Sequence, residues 1–189
     1  MTSQLKWIGA ILGVLFFLVF FGYLALLGHG IKNATKPEVS LKAYEAIVSK
    51  RASQSARYRF LPSSIPVDRA TTAFYHIPRF LQGPDVICLR QKLSGEVIKG
   101  ILEDLESSGR TEIKNLEEIS AQRCYLKFGI ETPSKRGLWD DAEELPESFR
   151  IFLFETDPED IKKNWNHNFL AFTAVSLELG EVVYHTDYW

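Results

Sequence analysis

From Trp7 to Leu27 the chain runs 21 residues without a charge, bounded by Lys6 and by Gly28-His29-Gly30. A helix rises ~1.5 Å per residue, so such a run can cross the ~30 Å hydrocarbon core of a bilayer. A cleaved secretory signal is the rival reading. Its apolar core takes about 7 to 15 residues and ends at a small-x-small site. This run instead continues through Phe16, Phe17, Phe20, Phe21 and Tyr23. The expectation is a retained transmembrane helix over residues 7–28, after a tail of residues 1–6. Trp7 and Tyr23 suit the two interfaces. Gly9 and Gly13 form one Gly-x-x-x-Gly spacing, the pattern through which two such helices would approach as a homodimer.

Two signals compete over orientation. Lys32, Lys36 and Lys42 come after the span, against the α-amine and Lys6 before it, which favours a cytoplasmic C-terminal part. A six-residue tail ahead of a long span is also the layout of a signal anchor, which sends the large domain across. The second sets the expectation: a single-pass protein of a bacterial inner membrane with its C-terminal domain in the periplasm.

The chain has 189 residues, so the part beyond the anchor suffices for one globular domain. Residues 29–66 read as a basic juxtamembrane linker containing an amphipathic helix, and residues 67–189 as the domain. In the linker Lys32, Lys36, Lys42, Lys50, Arg51, Arg57 and Arg59 face only Glu38 and Glu45. Lys32, Lys36 and Lys42 form a collar that anionic headgroups would attract, which raises lipid sensing as one role for the chain. Carboxylates gather further on, from Asp140 to Asp160. The basic stretch has few interleaved aromatics, so nucleic acid is not an expected partner.

Periodicity predicts a helix from Ser40 with Leu41, Tyr44, Ile47 and Val48 on one face. It predicts strands over 71–77 and 85–90, then a helix over 94–107 whose Val97, Ile98, Ile101, Leu102 and Leu105 line one side. Residues 111–120 read as a short helix or irregular connection, and 124–131 as a half-buried strand. Residues 149–154 read as a central strand, the stretch from Thr156 as a short helix, and 169–179 with 181–189 as a hairpin around Gly180. The predicted class is α+β, a mainly antiparallel sheet with helices packed on one face.

Signatures for phosphate loops, zinc proteases, serine hydrolases and calcium loops are absent, and no metal or cofactor is expected. Cys88 and Cys124 sit in apolar, strand-like flanks, which favours buried thiols over a disulfide. No residue is assigned to catalysis. The candidates are His185 and Asp187, placed side by side by strand alternation, together with His76 and His167 if the fold brings them near. Trp139, Glu143 and Glu144, on a long acidic connection, are the candidates for partner binding. The expected function is therefore a membrane-anchored domain that binds a macromolecular partner without catalysis, in an accessory, inhibitor or immunity-type role. The alternative is a membrane-bound hydrolase or metal-dependent enzyme using His185 and Asp187.

Overall fold

A computed structural model describes residues 13, 15–28, 36–79, 85–113, 124–134, 138–154 and 169–188. Contacts divide the chain into two compact units, Met1–Lys36 and Pro37–Trp189. In the first, residues 15–28 are helical. Their large apolar side chains are exposed, from Leu15 through Phe16, Phe17 and Phe21 to Leu26. Among the described residues no helix is long and apolar enough to cross a membrane. The N-terminal third of the expected span lies outside them.

The second unit is built on a six-stranded sheet. Its strands are β1 (Thr72–Ile77), β2 (Asp85–Lys92), β3 (Glu112–Ile113), β6 (Arg150–Leu153), β7 (Phe169–Ser176) and β8 (Glu181–Tyr188), in the order β1-β2-β8-β7-β6-β3. Every pairing is antiparallel. β4 (Tyr125–Leu126) and β5 (Ala142–Glu143) form a separate two-stranded ladder. The helices are α1 (Leu41–Gln54), α2 (Gly95–Ser107) and the four-residue α3 (Leu138–Asp141). The α+β class with a mainly antiparallel sheet is thus the observed one.

The middle of the sheet is buried on both faces. All eight residues of β7 and the first six of β8 are buried. On one side α1 contributes Leu41, Tyr44 and Val48, and α2 contributes Ile98, Leu102 and Leu105, to a core with Phe74, Ile87, Leu89, Val175 and Val182. Burying a side chain of this size contributes about 1.5–3 kcal/mol. On the other side Cys124, Leu126, Ala142 and Leu138 cover Tyr75, Cys88, Phe172 and Val183. The expectation of helices on one face is met by α1 and α2, whereas α3 and the β4–β5 flap cover the opposite face.

Three local readings change. The residue 124–131 strand shortens to Tyr125–Leu126, because a turn comes next in which Gly129 takes φ +80°, a conformation only glycine adopts without strain. Residues 149–154 yield β6, which is not central: it lies between β7 and the edge strand β3. Its Arg150 reaches Glu112 on β3 and Glu106 on α2, which explains a charge inside an otherwise apolar run. Within 111–120, residues Glu112–Ile113 are strand, and residues 114–120 lie outside the described residues, as does the short helix expected from Thr156. The terminal hairpin forms as read, with Gly180 at φ +65° and its carbonyl accepting from Leu93 N at 2.9 Å. The linker helix belongs to the folded unit, since Tyr44 of α1 is fully buried. Its hydroxyl donates to Pro62 O at 2.8 Å.

Candidate functional site

α1 ends beside the first residue of β2, and that junction collects a group of interacting polar side chains on the α1 face. Asp85 opens β2 and is 2% exposed. A carboxylate so buried is tolerated only when paired and hydrogen-bonded. Three groups meet the requirement. Arg51, in the last turn of α1, donates Nη2 to Oδ1 at 2.8 Å. Tyr58, held by a 3-10 turn over Ala56–Tyr58, donates to Oδ2 at 3.1 Å. His76 of β1 places Nε2 3.1 Å from Oδ1. Burial pushes the Asp85 carboxyl up, but the hydrogen bond from His76, the charges of Arg51 and His76 and the bond from Tyr58 outweigh it, and its pKa falls below the ordinary value. Burial, and then the adjacent carboxylate, push the Tyr58 hydroxyl up.

Above this cluster lies a cleft of about 340 Å³ lined by Arg51, Gln54, Ser55, Arg57, Tyr58, Arg79, Asp85, Phe169 and Tyr188. Arg79 lies over the Tyr188 ring at 4.5 Å and Arg57 over Phe169 at 5.3 Å, distances at which a cation is drawn to the ring face. Tyr58 packs edge-on against Phe169 at 5.6 Å, so the aromatic wall is continuous.

On the opposite face Arg90 fastens the β4–β5 flap to the sheet. Its guanidinium reaches both oxygens of Glu181 at 2.9 and 3.0 Å and the carbonyl of Leu126 at 2.7 Å. It also lies between the rings of Tyr125 and Phe128, at 3.7 and 3.9 Å. Tyr125 donates to Glu181 at 2.7 Å, and burial together with that carboxylate pushes its hydroxyl up to about 12. The flap therefore has a fixed position despite its short ladder.

Of the expected catalytic candidates, His185 and Asp187 do share one face of β8. His185 is only 4% exposed, stacks on Phe172 at 5.0 Å, and its Nδ1 has no hydrogen-bond partner among the described residues. Burial lowers its pKa to about 4. His76 is on the other face of the sheet, bound to Asp85, so it does not converge with His185. His167 lies outside the described residues. Among those residues no group of three or more His, Cys, Asp or Glu is arranged to hold a metal ion. Cys88 and Cys124 are buried free thiols, with Cys88 Sγ donating to Cys124 O at 2.8 Å.

Of the partner-binding candidates, Glu143 and Glu144 are exposed on and just after β5, with Glu143 3.3 Å from Lys127. Trp139 lies in α3, and its side chain is outside the described set, as are Lys32 and Gly9. Lys36 and Lys42 are exposed, and open space surrounds Gly13. The residues that sequence reasoning passed over are Arg51, Tyr58, Arg79 and Asp85. One signal was present: Asp85 heads the apolar run Val86-Ile87-Cys88-Leu89, where a carboxylate directed at the core calls for a partner. No protein-family model, curated protein or solved structure matches this chain.

His185 and Asp85, both buried, give separable acid sensitivities. His185 titrates near 6.5 when unfolded and near 4 when folded, so the unfolded state binds the extra proton between these values. Stability is therefore complete above pH 6.5 and falls by about 3 kcal/mol on acidification towards 4. Chemical denaturation across pH should show this slope, and His185→Leu should flatten it. Asp85 acts lower: its contribution is present above the ordinary carboxylate value of 3.8 and is lost as pH falls through its depressed folded value. Asp85→Asn leaves Arg51 without its partner and should cost about 3 kcal/mol at neutral pH, measured by the same denaturation.

Proposed function

We propose that this chain is a single-pass membrane protein whose C-terminal domain binds a macromolecular partner at the membrane, in an accessory, inhibitor or immunity-type role, without catalysing a reaction. The anchor rests on the uncharged run from Trp7 to Leu27 and on the helix at residues 15–28, whose large apolar side chains are exposed. Leu26 is 74% exposed. Lipid would remove such a surface from water. Lys36 and Lys42 are exposed and available to anionic headgroups.

The observation that carries the partner-binding reading is the fixed flap. Glu143 and Glu144 project from a ladder that Arg90 clamps to the sheet, so two exposed carboxylates are presented on a backbone already ordered before any encounter. Preorganisation of this kind reduces the ordering cost of association. A basic partner surface is the natural complement. The hydrolase alternative would draw on His185, whose ring is enclosed, while His76 serves Asp85 on the far side of the sheet.

Two measurements test this reading. Crosslinking and co-purification of the full chain from its own membrane should recover a partner that the double variant Glu143→Lys, Glu144→Lys no longer retains; equal recovery would remove this surface. For orientation, a cysteine at the exposed Ser53 should react with a membrane-impermeant thiol reagent in spheroplasts before permeabilisation, since the domain is proposed to face the periplasm. Labelling only after permeabilisation would place it in the cytoplasm.

A further inference from the structure

The cleft on the α1 face lies across the sheet from the acidic flap, and the partner proposed above does not account for it. We propose that it is a binding site for a phosphate monoester carrying an apolar or aromatic body. Its polar end is built from guanidinium groups held in place. Arg51 is fixed by Asp85 at 2.8 Å and by Gln54 Oε1 at 3.3 Å, and it remains 22% exposed at the cleft. Arg79 lies over the Tyr188 ring, and no carboxylate is its partner among the described residues. Stacking occupies the flat face of a guanidinium and leaves its N–H edges to bind oxygen atoms in the plane.

Among the described residues, Asp85 is the one carboxylate that lines the cleft. It does not act as a competing anion, because Arg51, Tyr58 and His76 take up its oxygens and Arg51 balances its charge. Arg79 supplies the net positive charge and Arg51, although Asp85 balances it, adds exposed N–H donors, a combination that suits an anion with several acceptor oxygens, as in a phosphate monoester, better than a carboxylate. The rings of Tyr58, Phe169 and Tyr188 supply a wall for the organic portion. The volume of about 340 Å³ is in the range of small-ligand sites.

The same chemistry could reach the cleft on a soluble molecule or as the headgroup of phosphatidic acid. Isothermal titration of the full chain in phosphatidylcholine nanodiscs with phenyl phosphate tests the class and then the source. Saturable binding at sub-millimolar concentration is expected, with benzoate weaker. Arg79→Gln should weaken phenyl phosphate by ~10-fold or more, the loss of one charge-assisted contact, with an unchanged thermal midpoint because Arg79 is exposed. Absence of saturable binding, benzoate binding as tightly as phenyl phosphate, or an unaffected Arg79→Gln variant would each overturn the proposal. Replacing part of the phosphatidylcholine with phosphatidic acid then separates the sources. Competition with phenyl phosphate assigns the site to the lipid headgroup, and unaltered binding assigns it to a soluble phosphate monoester. Glu143→Lys, Glu144→Lys should bind phenyl phosphate like the unaltered chain, so failure of the partner surface and failure of this site are read independently.

Discussion

A sheet buried on both faces is the constraint on which the rest of the domain depends. Among the described residues β2, β8 and β7 are joined by the longest ladders, and their side chains are withdrawn from water above and below. Two covering layers are therefore required, and two are present: α1 with α2 on one side, the β4–β5 flap with α3 on the other. The polar clusters mark where each cover is fastened. Asp85 joins the end of α1 to the sheet, and Arg90 joins the flap to it. Each fastening contains a buried or half-buried ion pair, which gives a specific position at some cost in desolvation.

The two fastenings differ in what remains available to solvent. Around Arg90, both Glu181 oxygens, a backbone carbonyl and two aromatic rings absorb the guanidinium, so the cluster works as an internal clamp. Around Asp85, the carboxylate is fully used, yet neighbouring arginines and rings still border an open cleft. Similar chemistry thus yields a closed joint on one face and leaves an open cleft on the other.

Much of the architecture was legible in short-range pattern. The 3.6-residue spacing from Val97 to Leu105 located α2, and Gly180 between two β-rich runs located the terminal hairpin. Where pattern misled, the cause was non-local. Alternation puts His185 and Asp187 on one face of β8, but it could not reveal that the β4–β5 flap covers that face. Residues 124–131 alternated well, yet Gly129 turned the chain after two paired residues, because the ladder partner is as short as Ala142–Glu143. The cleft was illegible for the same reason: Arg51, Arg79, Asp85 and Tyr188 come from four separate segments, which the β1–β2–β8 register and the docking of α1 on Asp85 bring to one corner.

Glu38 exchanges two backbone hydrogen bonds of 2.8 Å with His76, outside any regular strand. Among the described residues, this bridge is the first point at which the second unit, read from its N-terminal side, joins the sheet. A pull along the chain from that side would load these two bonds ahead of any complete ladder, at the residue whose ring steadies Asp85. A load applied at Glu38 would therefore reach the Asp85 cluster, and with it the border of the cleft, by way of His76.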